Sequence, residues 1–242
     1  MNVFRSGPWR RYAPWLALVV AALAGAILRY GLLDHLSPRR FSYYIESCFR
    51  FRYAEMRMRG QEPPALDRKA QWPEGFATDR MILSLPDRTA ALFYRLHRGN
   101  TFLAARALII ALSAASVLAF VPLALAVFRR PWPAAAATVI YAGTFGAFSR
   151  SIGNFLREDF AWPALLVATA AVLYLLTWKA GRGRWPAAAV AAAATFWAGS
   201  CWHMSQFYIA LLAAAIIIFG LAGRGRDAAV AGGALWLGLT AA

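Results

Sequence analysis

A chain of 242 residues with 60% hydrophobic and only 15% charged residues, and a mean hydropathy of +0.48, is too apolar for an ordinary water-soluble domain, in which about a quarter of residues are charged. Its formal net charge of +15 would point to nucleic acid in a soluble protein. Here the basic residues cluster between apolar runs and in one loop, the placement of a topology signal, so no nucleic-acid partner is expected.

Crossing the hydrocarbon of a bilayer takes about 20 largely apolar residues as a helix. Arg5, Arg10 and Arg11 precede the first such run, about 13–33, and no small-residue cleavage site follows it, so it reads as a retained anchor. A charged stretch, 34–100, is then a long loop. Within it Ile45, Cys48, Phe49 and Met56, with Phe41 and Tyr44 before them, recur at helical spacing among Arg50, Arg52, Arg57 and Arg59, predicting an amphipathic helix on the membrane surface. Gln61-Glu62-Pro63-Pro64 ends it, and a turn at Trp72-Pro73-Glu74-Gly75 precedes a second amphipathic stretch over 79–95.

Six further apolar runs follow at about 101–128, 133–148, 160–178, 185–200, 205–222 and 228–242. The expected fold is all-α: a polytopic transmembrane helical bundle forming a single domain over 1–242, with amphipathic helices in the loop after its first helix. The last run is still apolar at Ala242, so the chain is read as an N-terminal fragment.

Cytoplasmic flanks carry the excess of Lys and Arg. Besides the N-terminal arginines, the clusters are Arg129 and Arg130, then Lys179, Arg182 and Arg184, then Arg224 and Arg226, all on alternate connections. That pattern puts the long loop, 149–159 and 201–204 outside, on the periplasmic side of a bacterial inner membrane. Cys48 and Cys201 fall on this same side, where an oxidising compartment allows a disulfide, although apolar cysteines more often just pack. Neither belongs to a metal-binding spacing.

Of eleven acidic residues, eight lie in the long loop, leaving Glu158, Asp159 and Asp227. Glu158 and Asp159 stand at the outer mouth of a membrane helix, where a carboxylate needs water, a cation or a metal. They also stand at a helix N-terminus, where the macrodipole and capping favour acids, and that structural role is the alternative. Glu46, on the amphipathic loop helix, could complete a set of hard oxygen donors for Mg²⁺ or Mn²⁺, or simply pair with Arg50 four residues on.

Two stretches carry a family resemblance. One is Glu46-Ser47-Cys48-Phe49-Arg50-Phe51-Arg52-Tyr53-Ala54-Glu55, followed by Leu66-Asp67 and Pro73-Glu74-Gly75. The other is Ser149-Arg150-Ser151-Ile152-Gly153-Asn154-Phe155-Leu156-Arg157-Glu158-Asp159. Both resemble signatures of the catalytic subunit of oligosaccharyltransferase and its single-subunit prokaryotic relatives, which have the glycosyltransferase C fold. Thr195-Phe196-Trp197 through Cys201-Trp202-His203 is similar to their aromatic-rich outer end between the fifth and sixth helices. The chain departs from the pattern at Glu46, where the family usually has Asp, and at Arg157, which occupies the first acid of the second pair.

The resemblance implies transfer of a sugar or oligosaccharide from a polyprenyl-(pyro)phosphate donor to an acceptor protein or peptide, typically at the Asn of Asn-x-Ser/Thr. It implies Glu46 and Asp159 as catalytic residues and Glu46, Glu158 and Asp159 as ligands of Mg²⁺ or Mn²⁺. Arg150, Arg157, Trp202 and His203 would contact substrate. The family's further metal-binding acid and Trp-Trp-Asp acceptor motif would lie beyond Ala242, so the chain alone is expected to be inactive. Two rivals stay open: another polyprenyl-phosphate-sugar transferase of the same fold, and a noncatalytic transport or assembly protein of the membrane.

Overall fold

The computed structural model describes residues 9–38, 45–68, 76–78, 84–97, 99–177 and 183–242. Arg5, Phe41, Tyr44, the expected turn at 72–75, and Lys179 and Arg182 lie outside them.

Helix α1 (Trp9–Leu36) exceeds the expected run at both ends. Arg106 holds its C-terminal end, bonding Asp34 at 2.6 Å and donating to the Asp34 and Ser37 carbonyls. Two loop helices, α2 (Ile45–Met58) and α3 (Leu85–His97), pack on each other, and a short antiparallel pair, β1 (Leu66–Asp67) with β2 (Phe76–Ala77), lies between them in sequence. Helix α2 is anchored onto the bundle as well as being amphipathic. Phe51, Tyr53 and Ala54 are fully buried, and Phe51 meets Phe102 and Phe155 edge to face.

The N-terminus of α4 (Thr101–Phe128) is capped by Asn100, whose side chain accepts from the Phe102 and Leu103 amides; Arg129, in the left-handed conformation, ends it. Helix α5 (Pro131–Gly143) stops five residues before the expected 148. Gly143 and Gly146 weaken helix continuation, and two 3₁₀ turns, Phe145–Ala147 and Ser149–Ser151, follow instead. Then come α6 (Arg157–Thr177), α7 (Arg184–Cys201) and α8 (Ser205–Phe219). A π turn at Gly220–Arg224, with Gly223 at φ +87°, leads into α9 (Gly225–Ala241).

Four of these helices, over Tyr12–Leu36, Thr101–Phe128, Arg157–Thr177 and Ser205–Gly223, are long and apolar enough to cross a membrane. The protein is thus an all-α membrane protein. The other apolar runs form α5, α7 and α9, of 13, 18 and 17 residues, which do not meet the same standard of length and hydropathy.

Helix α6 packs against α4 and against α7, α7 carries α9, and α1 lies against α4 and α5. Small residues set the closest approaches, as bilayer packing favours. A Cβ on Gly25 would stand 2.9 Å from Ala142 Cβ, and one on Gly238 would run into the Ala192 carbonyl oxygen. The α2–α3 layer covers the end of the bundle where α1 finishes and α4 and α6 begin, and there Ser47 Oγ bonds Asn154 Oδ1 at 3.1 Å.

Candidate functional site

At this loop end, a groove of about 210 Å³ opens between α4, α6 and the two 3₁₀ turns. Helix α6 contributes Glu158, Asp159 and Trp162, the turns contribute Arg150 and Ser151, and Trp202 stands at its side just past α7. Ser113 and Ser116 of α4 line its depth. Non-helical backbone within a membrane bundle is tolerated where it lines such a cavity.

Asp159 sits in the first turn of α6 and is buried. Ser151 Oγ donates to its Oδ1 at 2.6 Å, and the Leu156 amide, at the start of the helix, also faces the carboxylate. This is the geometry of an acid reaching back to a helix N-terminus, so capping accounts for part of its placement. Its Oδ2 is buried without a hydrogen-bond partner, an expense that capping does not explain. Glu158, one residue earlier, pairs with the exposed Arg150 at 2.9 Å.

Four residues expected at a site, Arg150, Glu158, Asp159 and Trp202, thus line one groove. Arg157 does not line it. Its side chain is buried and acts on Asp87 of α3. Burial pushes the Asp87 carboxyl up to about 7, against the opposing pull of Arg157, then Arg57 and Arg50. His203 is exposed and also lies outside the groove lining. Glu46 falls in the first turn of α2, beside Ser47, and its side chain lies outside the described residues.

Asp67, part of the first signature, is engaged by Arg52 at 2.7 Å and by the Tyr53 hydroxyl at 3.0 Å. Burial, with this carboxylate next, pushes the Tyr53 phenol up. Cys48 and Cys201 are not joined by a disulfide; Cys201 is buried and Cys48 half-buried.

Sequence reasoning passed over Arg29, Ser116, Tyr141 and Trp162, which form a connected polar system beneath the groove. One signal was available: Arg29 is a charge inside the first apolar run, a position that in a membrane helix marks a function by default.

No known family model and no curated protein matches this chain.

Among the described residues no three His, Cys, Asp or Glu side chains gather to hold a metal ion. The groove still fits a hard cation of the kind that binds through one or two carboxylates, its remaining positions filled by water and substrate phosphate. Asp159 Oδ2 is a buried donor without a partner, and Glu158 adjoins it.

Proposed function

We propose that this chain carries the donor-binding part of an oligosaccharyltransferase-like glycosyltransferase of glycosyltransferase C type. The donor would be a polyprenyl-(pyro)phosphate sugar and the acceptor a protein or peptide, of N-glycosylation type. The site would face the periplasm, on the side to which the basic clusters assign the long loop. One observation carries the reading: Arg150, Glu158, Asp159 and Trp202 line a single groove, and a buried Asp159 oxygen there has no partner.

Asp159 and Glu158 would hold Mg²⁺ or Mn²⁺, which would offset charge developing on the departing phosphate. Arg150 serves the same phosphate directly. Its guanidinium, exposed and paired with Glu158, exchanges that carboxylate for the phosphate oxygens when donor arrives. The acceptor's amide nitrogen bonds the sugar's anomeric carbon as the bond from that carbon to the phosphate oxygen breaks; the nitrogen gives up one proton to a carboxylate of the site, and the phosphate leaves with the polyprenol. Trp202 borders the entering ligand.

The test is binding of a polyprenyl-diphosphate N-acetylglucosamine to the protein in lipid nanodiscs, with and without Mn²⁺. Asp159→Asn and Arg150→Ala are each expected to weaken it about tenfold, as loss of a charge-assisted contact does, with little change in melting temperature. Unchanged affinity in Asp159→Asn sinks the reading. Transfer to lipid or glycan rather than to an Asn-x-Ser/Thr peptide would favour another transferase of the same fold. The transport reading has an observation of its own in α5, whose 13 residues are too short to span, as the half-helices of broken transporter helices are. Solute flux in proteoliposomes without donor binding would favour it.

A further inference from the structure

Arg29 is the charge that this chemistry does not use. It is fully buried in α1, two turns before the end of a membrane-spanning helix, and among the described residues none of its hydrogen bonds goes to a carboxylate. It donates to the Ala142 carbonyl at 3.2 Å, to the Tyr141 carbonyl, and to Ser116 Oγ at 3.0 Å. The two carbonyls belong to the last turn of α5, where a helix leaves its acceptors without internal partners. Its guanidinium also lies 4.5 Å from the Tyr141 ring centroid.

The system continues toward the groove. Tyr141 donates its hydroxyl proton to Ser116 Oγ at 3.2 Å, and Trp162 Nε1 donates to the Tyr141 hydroxyl at 2.9 Å. Trp162 lines the groove one helical turn below Asp159, with Tyr208 edge-on to its ring. One indole beside two carboxylates, with Trp202 as a second, suits a sugar ring. The ring's C–H face stacks on the aromatic surface while its hydroxyls donate to carboxylate oxygens.

We propose that Trp162 is the platform on which the donor's sugar ring stacks, and that Arg29 is its positioning residue, acting through Ser116 and Tyr141. The inference rests on the glycosyl-donor reading above. Arg29 never touches the ligand; it orders the end of α5 and the Tyr141 hydroxyl, which fixes the indole.

Protein labelled with fluorotryptophan in nanodiscs gives a fluorine resonance for Trp162, assigned by its loss in Trp162→Phe. Arg29→Gln and Tyr141→Phe are each expected to move that resonance. The near-isosteric Tyr141→Phe decides the matter if Arg29→Gln does not fold. In titrations with polyprenyl-diphosphate N-acetylglucosamine, Trp162→Phe and Arg29→Gln (or Tyr141→Phe) should each weaken binding about fivefold, the scale of one hydrogen bond and its aligned contact. The double variant should be no weaker than either single one, since both remove the same contact. A resonance unmoved by these substitutions, or losses that simply add, overturns the inference while wild-type binding leaves the donor reading standing. Failure of the wild-type protein to bind the probe overturns the donor reading and the sugar platform together, and the resonance then decides whether Arg29 positions Trp162.

Discussion

Asp87 is a carboxyl group placed where ionisation is costly, and the cost is measurable as a pH dependence. Its value of about 7 in the folded protein lies above the roughly 3.9 of an unfolded chain. Between those values the folded state holds a proton that the unfolded state has released, so stability falls as pH rises from about 4 to 7 and levels off above. Thermal unfolding in detergent should follow that slope, and Asp87→Asn should flatten it; an equally steep profile in Asp87→Asn would assign the slope to other groups. The charged groups acting on Asp87 are three arginines, Arg157, Arg57 and Arg50. Residues of this kind were only half legible in the sequence. The motif around Arg150, Glu158 and Asp159 stood out because acids are rare after the loop. Arg157 acts on Asp87, seventy positions away in sequence, and no spacing rule reports that. The arginine excess likewise has a second reading: Arg29, Arg106 and Arg129 each donate to carbonyls at the C-terminal end of a helix, as cations there should.

Among the elements, α5 gave the least warning of its form. Phe145 to Phe148 is apolar enough to extend the run, yet the helix ends at Gly143, and Arg29 takes up the Tyr141 and Ala142 carbonyls left open there. Helix α4, by contrast, matched its expected run at both ends, since Asn100 is a strong cap and Arg130-Pro131 a strong stop. The helix contacts that depend on absent side chains are testable directly. Gly25→Val and Gly238→Val should each lower stability by about 1–3 kcal/mol through overpacking, read as a lower melting temperature, while Gly31→Val, with open space around it, should change little. Equal effects at all three positions would remove the packing argument. At Gly238 the clash is with backbone, the Ala192 carbonyl, so that variant should be the worse of the two.

For the whole molecule, the sequence told its solvent and class from composition alone, and the seven apolar runs all became helices. Among the described residues four helices are long and apolar enough to cross a membrane; the runs at 185–200 and 228–242 were already short in the sequence, whereas the early end of α5 was not legible there. The orientation rests on the basic clusters and has a plain test. In a Cys48→Ser, Cys201→Ser background, a cysteine at Gly60 should react with a membrane-impermeant maleimide added to intact spheroplasts. One at Gly225 should react only after lysis. The reverse pattern would turn the proposed site toward the cytoplasm and sink a reaction on exported acceptors.

The contacts of Arg29 also set a clock. Its partners Ser116, Tyr141 and Ala142 lie 87 to 113 residues downstream, which a ribosome adding about 5–20 residues per second takes several to some twenty seconds to supply. Over that interval α1 is a finished helix whose guanidinium still lacks these partners, so its native contacts form only once α5 has been made. A helix synthesised well before α5 is thus among the last to complete its packing.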